Sequence, residues 1–196
     1  MSSSASTSPT TTAPDRSAAP LILGISGAMR FGTANEQALR LALERVEQLG
    51  GRTQLIPGSR LIFPNFDDEV APEAQAQWLI DAIHEAEGII LCSPSYHGGV
   101  SGLLKNALDY LELTAKSPRP YLTGLPVGCI ATGDGWQGPN STLLALRQSV
   151  HALRGWPTPL GVAQNINDGG LTDAAAPLRT VAEQVMEFAL MRRAAG

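Results

Sequence analysis

The sequence predicts an α/β domain, a three-layer sandwich whose five-stranded parallel sheet runs in the order 2-1-3-4-5. Three observations carry this. From residue 21 onward, short apolar runs alternate with stretches whose apolar residues recur at helical spacing, the pattern of strand–helix–strand units. Parallel strands joined this way are covered by helices on both faces, and right-handed crossovers leave few topologies. The loops after the first, third and fourth runs have unusual, glycine-rich compositions. Open sheets of this order place ligands beyond the carboxyl ends of their strands.

Each element has its own warrant. Leu21–Ser26 is the first apolar run. Asn35 can cap the helix that follows, with Leu39, Leu43, Val46 and Leu49 on one face, and Gly50-Gly51 stops it. Arg52–Ile56 alternates as a second strand. A long connection over 57–70 has its apolar part at 61–66. Pro72 opens a helix that buries Leu79, Ala82, Ile83 and Ala86. Residues 88–93 form the third strand, and Ser101 caps a helix carrying Leu103, Leu104, Ala107, Leu108 and Leu111. The fourth strand spans 125–131, with Pro126 at its entry. Pro139 or Asn140 begins a helix with Leu143, Leu146, Val150 and Leu153. A short fifth strand covers 158–163, a polar loop 165–170, and a last helix runs from about 173 to 193. No internal repeat is present.

The 196 residues suit one folded domain over 21–196. Ten of the first 20 residues are Ser or Thr, interspersed with Pro9, Pro14 and Pro20. That segment reads as a disordered tail, because it cannot bury enough apolar surface to offset its ordering entropy. It lacks the apolar core of a secretory signal. With 43% hydrophobic and 16% charged residues the chain is globular, and no apolar run reaches the roughly 20 residues of a membrane span. A net charge of −4 argues against a nucleic-acid surface and against a strongly acidic electron carrier. Cys92 and Cys129 each lie inside a predicted core strand, which fits buried thiols in a reducing cytosol better than a disulfide. No zinc-ligand spacing and no clustered cysteines for an iron–sulfur centre are present.

The first loop, 26–35, combines Ser26, Gly27, Ala28, Arg30, Gly32, Thr33 and Asn35 at a helix start. Backbone N–H groups, the positive helix end and an arginine together make an anion site. It is not a P-loop, since Thr33 occupies the lysine position, and the dinucleotide fingerprint and the G-x-S-x-G hydrolase elbow are both absent.

The second loop is the most informative stretch: Ser93-Pro94-Ser95-Tyr96-His97-Gly98-Gly99-Val100-Ser101-Gly102-Leu103-Leu104-Lys105-Asn106-Ala107-Leu108-Asp109. It resembles the flavin-binding loop of the NADPH-dependent FMN reductase family, a flavodoxin-like group whose loop reads P-E-Y-(N/H)-G-(G/S)-(V/I)-(S/P)-G-x-L-K-N-A-(L/I)-D. Ser95 replaces the glutamate. The first loop is similar to that family's G-S-x-R-x-x-(S/T)-x-N phosphate loop, with Arg30, Thr33 and Asn35 on matching positions. Ala28 stands where serine is usual, and Ser26 is the residue expected to compensate.

The resemblance covers residues 21 to about 165 and implies FMN and NADPH (or NADH) as cofactors. It implies FMN contacts from Ser26, Ala28, Arg30, Thr33 and Asn35, from Pro94, Ser95, Tyr96, His97 and Gly98, and from Thr132, Gly133, Asp134 and Gly135 of the third loop. Hydride chemistry then belongs to the flavin, with no catalytic side chain. His97 either bonds a ring edge or caps at the surface, and Tyr96 either flanks the ring or packs under the loop. Trp136 either walls the substrate pocket or meets a partner subunit. Lys105 and Asp109 form an i,i+4 pair. The implied acceptor is a free flavin, a quinone, an azo compound or a metal oxyanion, in a cytoplasmic homodimer or homotetramer that contacts neither nucleic acid nor membrane. Two other readings stay open: a flavodoxin-type carrier, and a non-catalytic binding protein on the same fold.

Overall fold

The computed structural model describes residues 19–67, 69 and 74–195. The tail expected over 1–20 lies almost wholly outside them, as does Pro72. The elements run β1 (Leu21–Ser26), α1 (Ala34–Gln48), β2 (Arg52–Ile56), α2 (Ala74–Glu85), β3 (Gly88–Tyr96), β4 (Gly99–Val100), α3 (Gly102–Asp109), β5 (Pro126–Gly133), α4 (Gln137–Ala152), β6 (Trp156–Pro157), β7 (Val162–Asn165) and α5 (Gly170–Ala195). Single 3₁₀ turns occupy Gly58–Arg60 and Tyr110–Thr114.

The sheet order is β2-β1-β3-β5-β6, all parallel, with β7 also pairing β5 and β4 pairing β3 antiparallel. With β4 set aside and β6 and β7 taken as the two halves of the fifth strand, this is the expected flavodoxin-like order. Both faces are buried because alternate residues of each central strand feed opposite cores. On β3, Ile89 and Leu91 pack into the cluster with Leu79, Ile83, Leu104, Leu108 and Leu146. Ile90 and Cys92 pack into the other, with Leu39, Leu43, Val181 and Val185. Cys92 and Cys129 fall in opposite clusters, buried and unpaired. Burial pushes the Cys92 thiol well up and that of Cys129 to about 12, so neither is a nucleophile at neutral pH.

Five features differ from the sequence reading. Thr33, not Asn35, caps α1, its hydroxyl accepting from Glu36 N at 3.3 Å. β3 extends to Tyr96 because the second loop is a hairpin rather than an open loop. β5 continues through Gly133 and α4 starts at Gln137. The fifth strand is split: Pro126 and Val127 pair Trp156 and Pro157, whereas Ile130 pairs Val162. Two residues of β5 therefore face four of the edge strand. Pro159 lies in that bulge, where its missing N–H breaks no ladder.

Candidate functional site

The carboxyl ends of β1, β3 and β5 are tied together by one side chain. Asn35, 2% exposed in the first turn of α1, accepts from the Ser26 hydroxyl at 3.0 Å. Its Nδ2 donates to Cys92 Sγ at 3.1 Å and Thr132 Oγ1 at 3.4 Å. Ser26 Oγ also accepts from Ala28 N at 3.2 Å. Ser26 therefore does not supply the hydroxyl missing at Ala28: its own is spent beneath the loop, together with the Ala28 amide. Ser26, Ala28, Asn35 and Thr132 form the buried floor.

Above that floor, Met29, Arg30 and Phe31 are exposed. Gly32 has φ +71, and its N–H donates to Glu36 Oε2 at 3.1 Å. Glu36 is itself paired with Arg40. The loop is seated on Gly58, where a Cβ would come 2.3 Å from the Ala28 carbonyl oxygen. Nothing in the sequence pattern singles out Gly58, because its partner lies 30 residues away.

The second loop is a two-residue hairpin. Tyr96 pairs Gly99, and the turn residues are His97 (φ +53) and Gly98 (φ +79), not the two glycines. Positive φ at both is the geometry that matches strand twist in short hairpins. Ser93 Oγ accepts from Ser101 N at 2.9 Å. The Ser101 hydroxyl caps α3, accepting from Leu104 N at 3.2 Å, and donates to Gly27 O at 3.0 Å. This locks the hairpin to the first loop. On the other side Thr142 of α4 donates to Ser95 Oγ at 2.8 Å. Tyr96 and His97 are exposed and Pro94 is half-buried, pairing Thr132 in the ladder. Asn106 pins the connection after β2, accepting from Phe66 N at 2.9 Å and donating to Pro64 O at 2.8 Å. Lys105 and Asp109 form the expected surface pair at 2.6 Å.

The third loop is stitched to the loop after β7. Gly135 N donates to Asn165 Oδ1 at 2.9 Å, Asn167 Nδ2 to Asp134 Oδ1 at 3.3 Å, and Trp136 Nε1 to Asp168 Oδ2 at 3.2 Å. No local pattern marks residues 165–168 as part of this region, because their partners lie about 30 residues away. Between hairpin and third loop lies a cavity of about 540 Å³, bordered by Ser95, His97, Gly98, Asp134, Gln137 and Gly138. No side chain caps the N-terminus of α4, whose first residues line this cavity. A Cβ at Gly138 would sit 2.8 Å from Ser95 Oγ, so Ser95 would have to shift to admit one.

The sequence pattern of the NADPH-dependent FMN reductases matches residues 20–167. The chain belongs to that family. It is 31% identical over 99 residues to an NADPH azoreductase from Bacillus sp. (strain OY1-2), a match spanning 49% of this chain and about half, 52%, of that protein. It is 29% identical over 166 residues to an NAD(P)H-dependent FMN reductase of Pseudomonas aeruginosa, covering 79% and 86% of the two chains. The crystal structure of an apo NADH:FMN oxidoreductase superposes with a TM-score of 0.66 at 22% identity, over 88% of this chain and 89% of that one. The fold and the family expected from the sequence both hold.

A member of the NADPH-dependent FMN reductase family has to accommodate a flat ring with polar edges and a phosphate. The residues present fit. The cavity lies within the size range of small-molecule sites, ~300–1,000 Å³. Gly138 and the uncapped α4 N-terminus give backbone access and a positive dipole end. At the first loop, the exposed Arg30 and the N-terminus of α1 are the groups present whose charge suits a phosphate. Among the described residues no cluster of His, Cys, Asp and Glu could hold a metal ion. Among them, too, no helix is long and apolar enough to cross a membrane.

Proposed function

We propose that this chain is an FMN-dependent oxidoreductase that draws reducing equivalents from NADPH or NADH and passes them to a small acceptor: a free flavin, a quinone, an azo compound or a metal oxyanion. One observation carries the reading. Within the matched family, the left-handed hairpin at His97 and Gly98 faces the uncapped α4 N-terminus across a 540 Å³ cavity. That is a place for a planar ring whose pyrimidine edge gains negative charge on reduction.

When bound, FMN supplies the hydride and electron chemistry. The protein's own residues bind, orient and tune. Arg30 and the loop before α1 take the phosphate, with Thr33 holding that loop by its cap. Pro94, Ser95, Tyr96, His97 and Gly98 present backbone and side-chain edges to the ring. From the third loop Asp134 borders the same cavity and Gly133 and Gly135 would let the backbone approach the ring, with the α4 dipole favouring negative charge there. Ser26, Ala28, Asn35 and Thr132 act from below by fixing the three strand ends. No side chain serves as nucleophile or general base. The active form in this reading is a cytoplasmic homodimer or homotetramer, with exposed Met29, Phe31 and Tyr96 beside the site available to a second subunit.

An anaerobic absorbance scan tests this. The purified protein, incubated with FMN, should show flavin bands that bleach on adding NADPH or NADH. Bound flavin that neither nucleotide bleaches favours the carrier reading. A protein that cannot be loaded with flavin refutes both.

A further inference from the structure

We propose that a second, smaller cleft, between the end of β7 and the start of α5, binds a neutral flat molecule through a carboxamide or lactam edge, with Gln164 as its hydrogen-bonding partner. Gln164 is 3% exposed, and neither its Oε1 nor its Nε2 has a hydrogen-bond partner. Buried side-chain amides are almost always paired, because desolvating one without a partner costs free energy. Gln164 lines a cleft of about 110 Å³ that shares no lining residue with the larger cavity, and its amide atoms lie just beneath that wall, so a ligand meets them when the side chain turns outward.

The cleft's chemistry narrows its occupant. An amide side chain presents a donor and an acceptor side by side. Its complement is the same pair reversed, as in a carboxamide or a lactam. Trp136, Ala174 and Pro177 supply apolar walls, and the half-exposed indole offers a face for stacking. Asp168 and Asp173 also line the cleft, so a carboxylate or phosphate is repelled and a neutral ligand is favoured. A closed cavity of ~150 Å³ holds a benzene-sized ring, so this cleft, about a quarter smaller but open to solvent, takes a ring by its edge with the remainder outside. Water alone is a poorer occupant, since it wants two to four polar partners and these walls are mainly apolar. Trp136 and Asp168 both line the cleft, and Trp136 Nε1 donates to Asp168 Oδ2 at 3.2 Å, which places a reporter on it. The site stands apart from the flavin reading, and its test reads Trp136 rather than turnover.

The experiment is an NMR titration of the full chain, with and without flavin, following the three tryptophan indole N–H signals and assigning Trp136 by its loss in Trp136→Phe. Nicotinamide represents the carboxamide, uracil the lactam and nicotinate the anionic control. Nicotinamide or uracil should shift the Trp136 signal with a Kd of ~1–10 mM, as befits so small a ligand, and nicotinate should bind at least tenfold more weakly. The tighter of the two neutral probes identifies the ligand's edge. Gln164→Met should lose the response at least tenfold while melting no lower than wild type, because it removes an unpaired amide. If that variant does not fold, Asp168→Asn decides instead, by narrowing the gap between nicotinate and nicotinamide. An unmoved Trp136 signal, equal response to nicotinate, or undiminished binding by Gln164→Met overturns the proposal.

Discussion

His97 holds its backbone in the left-handed region at φ +53, beside Gly98 at +79. A β-branched residue pays most for that conformation, roughly 1–2 kcal/mol. His97→Val should therefore lower stability in urea unfolding by about that amount, and His97→Gly should leave it unchanged or slightly raised. The same His97→Gly variant should shift the bound flavin's absorbance, since His97 borders the cavity; an identical spectrum places the imidazole outside the site. Arg30 makes a different kind of contribution. It is exposed, so its charge-assisted contact is screened, and Arg30→Ala should weaken FMN binding about tenfold in a fluorescence titration. Turnover at saturating flavin should change far less. At this scale the sequence showed which residue types gather, but not which way they point. Asn35 looked like a cap and a ligand contact, yet it lies beneath the site, because a buried amide can bridge three strand ends whose nearness no local pattern reveals.

Elements were legible wherever burial has a simple period. The five helices follow from apolar spacing and the strand order from right-handed crossovers. Most of the helix positions named are buried: Leu79, Ala82 and Ile83 on α2 and Ala86 just after it are all under 8% exposed, whereas Leu49 is 38% exposed and Leu103, Leu143 and Leu153 are half-buried. Long-range fits were not legible. The split fifth strand depends on a bulge that holds Pro159, and the seat of the first loop depends on Gly58. A Cβ there meets backbone rather than a flexible side chain, so the loop must move. Gly58→Ala should cost about 1–3 kcal/mol of stability, as overpacking does, and should weaken flavin binding as well. Destabilisation with normal flavin affinity separates Gly58 from the site. The end of α2 carries a pH dependence. Burial, followed by the nearby Arg119 charge, holds the His84 pKa below the usual histidine value, Asp81 opposing. Its buried Nε2 has no partner, and Arg119 donates to the His84 carbonyl at 2.6 Å. The unfolded chain binds the proton more readily, so stability falls as pH drops below about 6.5 towards the lowered native value. His84→Gln should flatten the melting temperature between about pH 6.5 and 5; an unaltered slope assigns the dependence to other groups.

The whole molecule brings its ligand-facing loops to one edge of the sheet and gives them a mild negative field. Net charge is −4, and the cavity between hairpin and third loop is lined by the Asp134 carboxylate with no lysine or arginine among its bordering residues. Asn167 Nδ2 holds that carboxylate at 3.3 Å, so its position is defined even though it is exposed. Asp134 repels an anionic acceptor entering this cavity, opposing the α4 N-terminus that favours one, and acts on no charge of a neutral acceptor. Because Asp134 is in contact with water, the effect is modest and salt-sensitive. With FMN and NADH present, kcat/KM should favour a neutral quinone over a sulfonated analogue of similar redox potential. Asp134→Asn should narrow that preference by about two- to fivefold at low ionic strength. Added salt should narrow it in the wild type and leave the variant nearly unchanged, because screening and removal act on the same charge. A preference that is insensitive to both salt and Asp134→Asn shows that shape, not field, selects the acceptor.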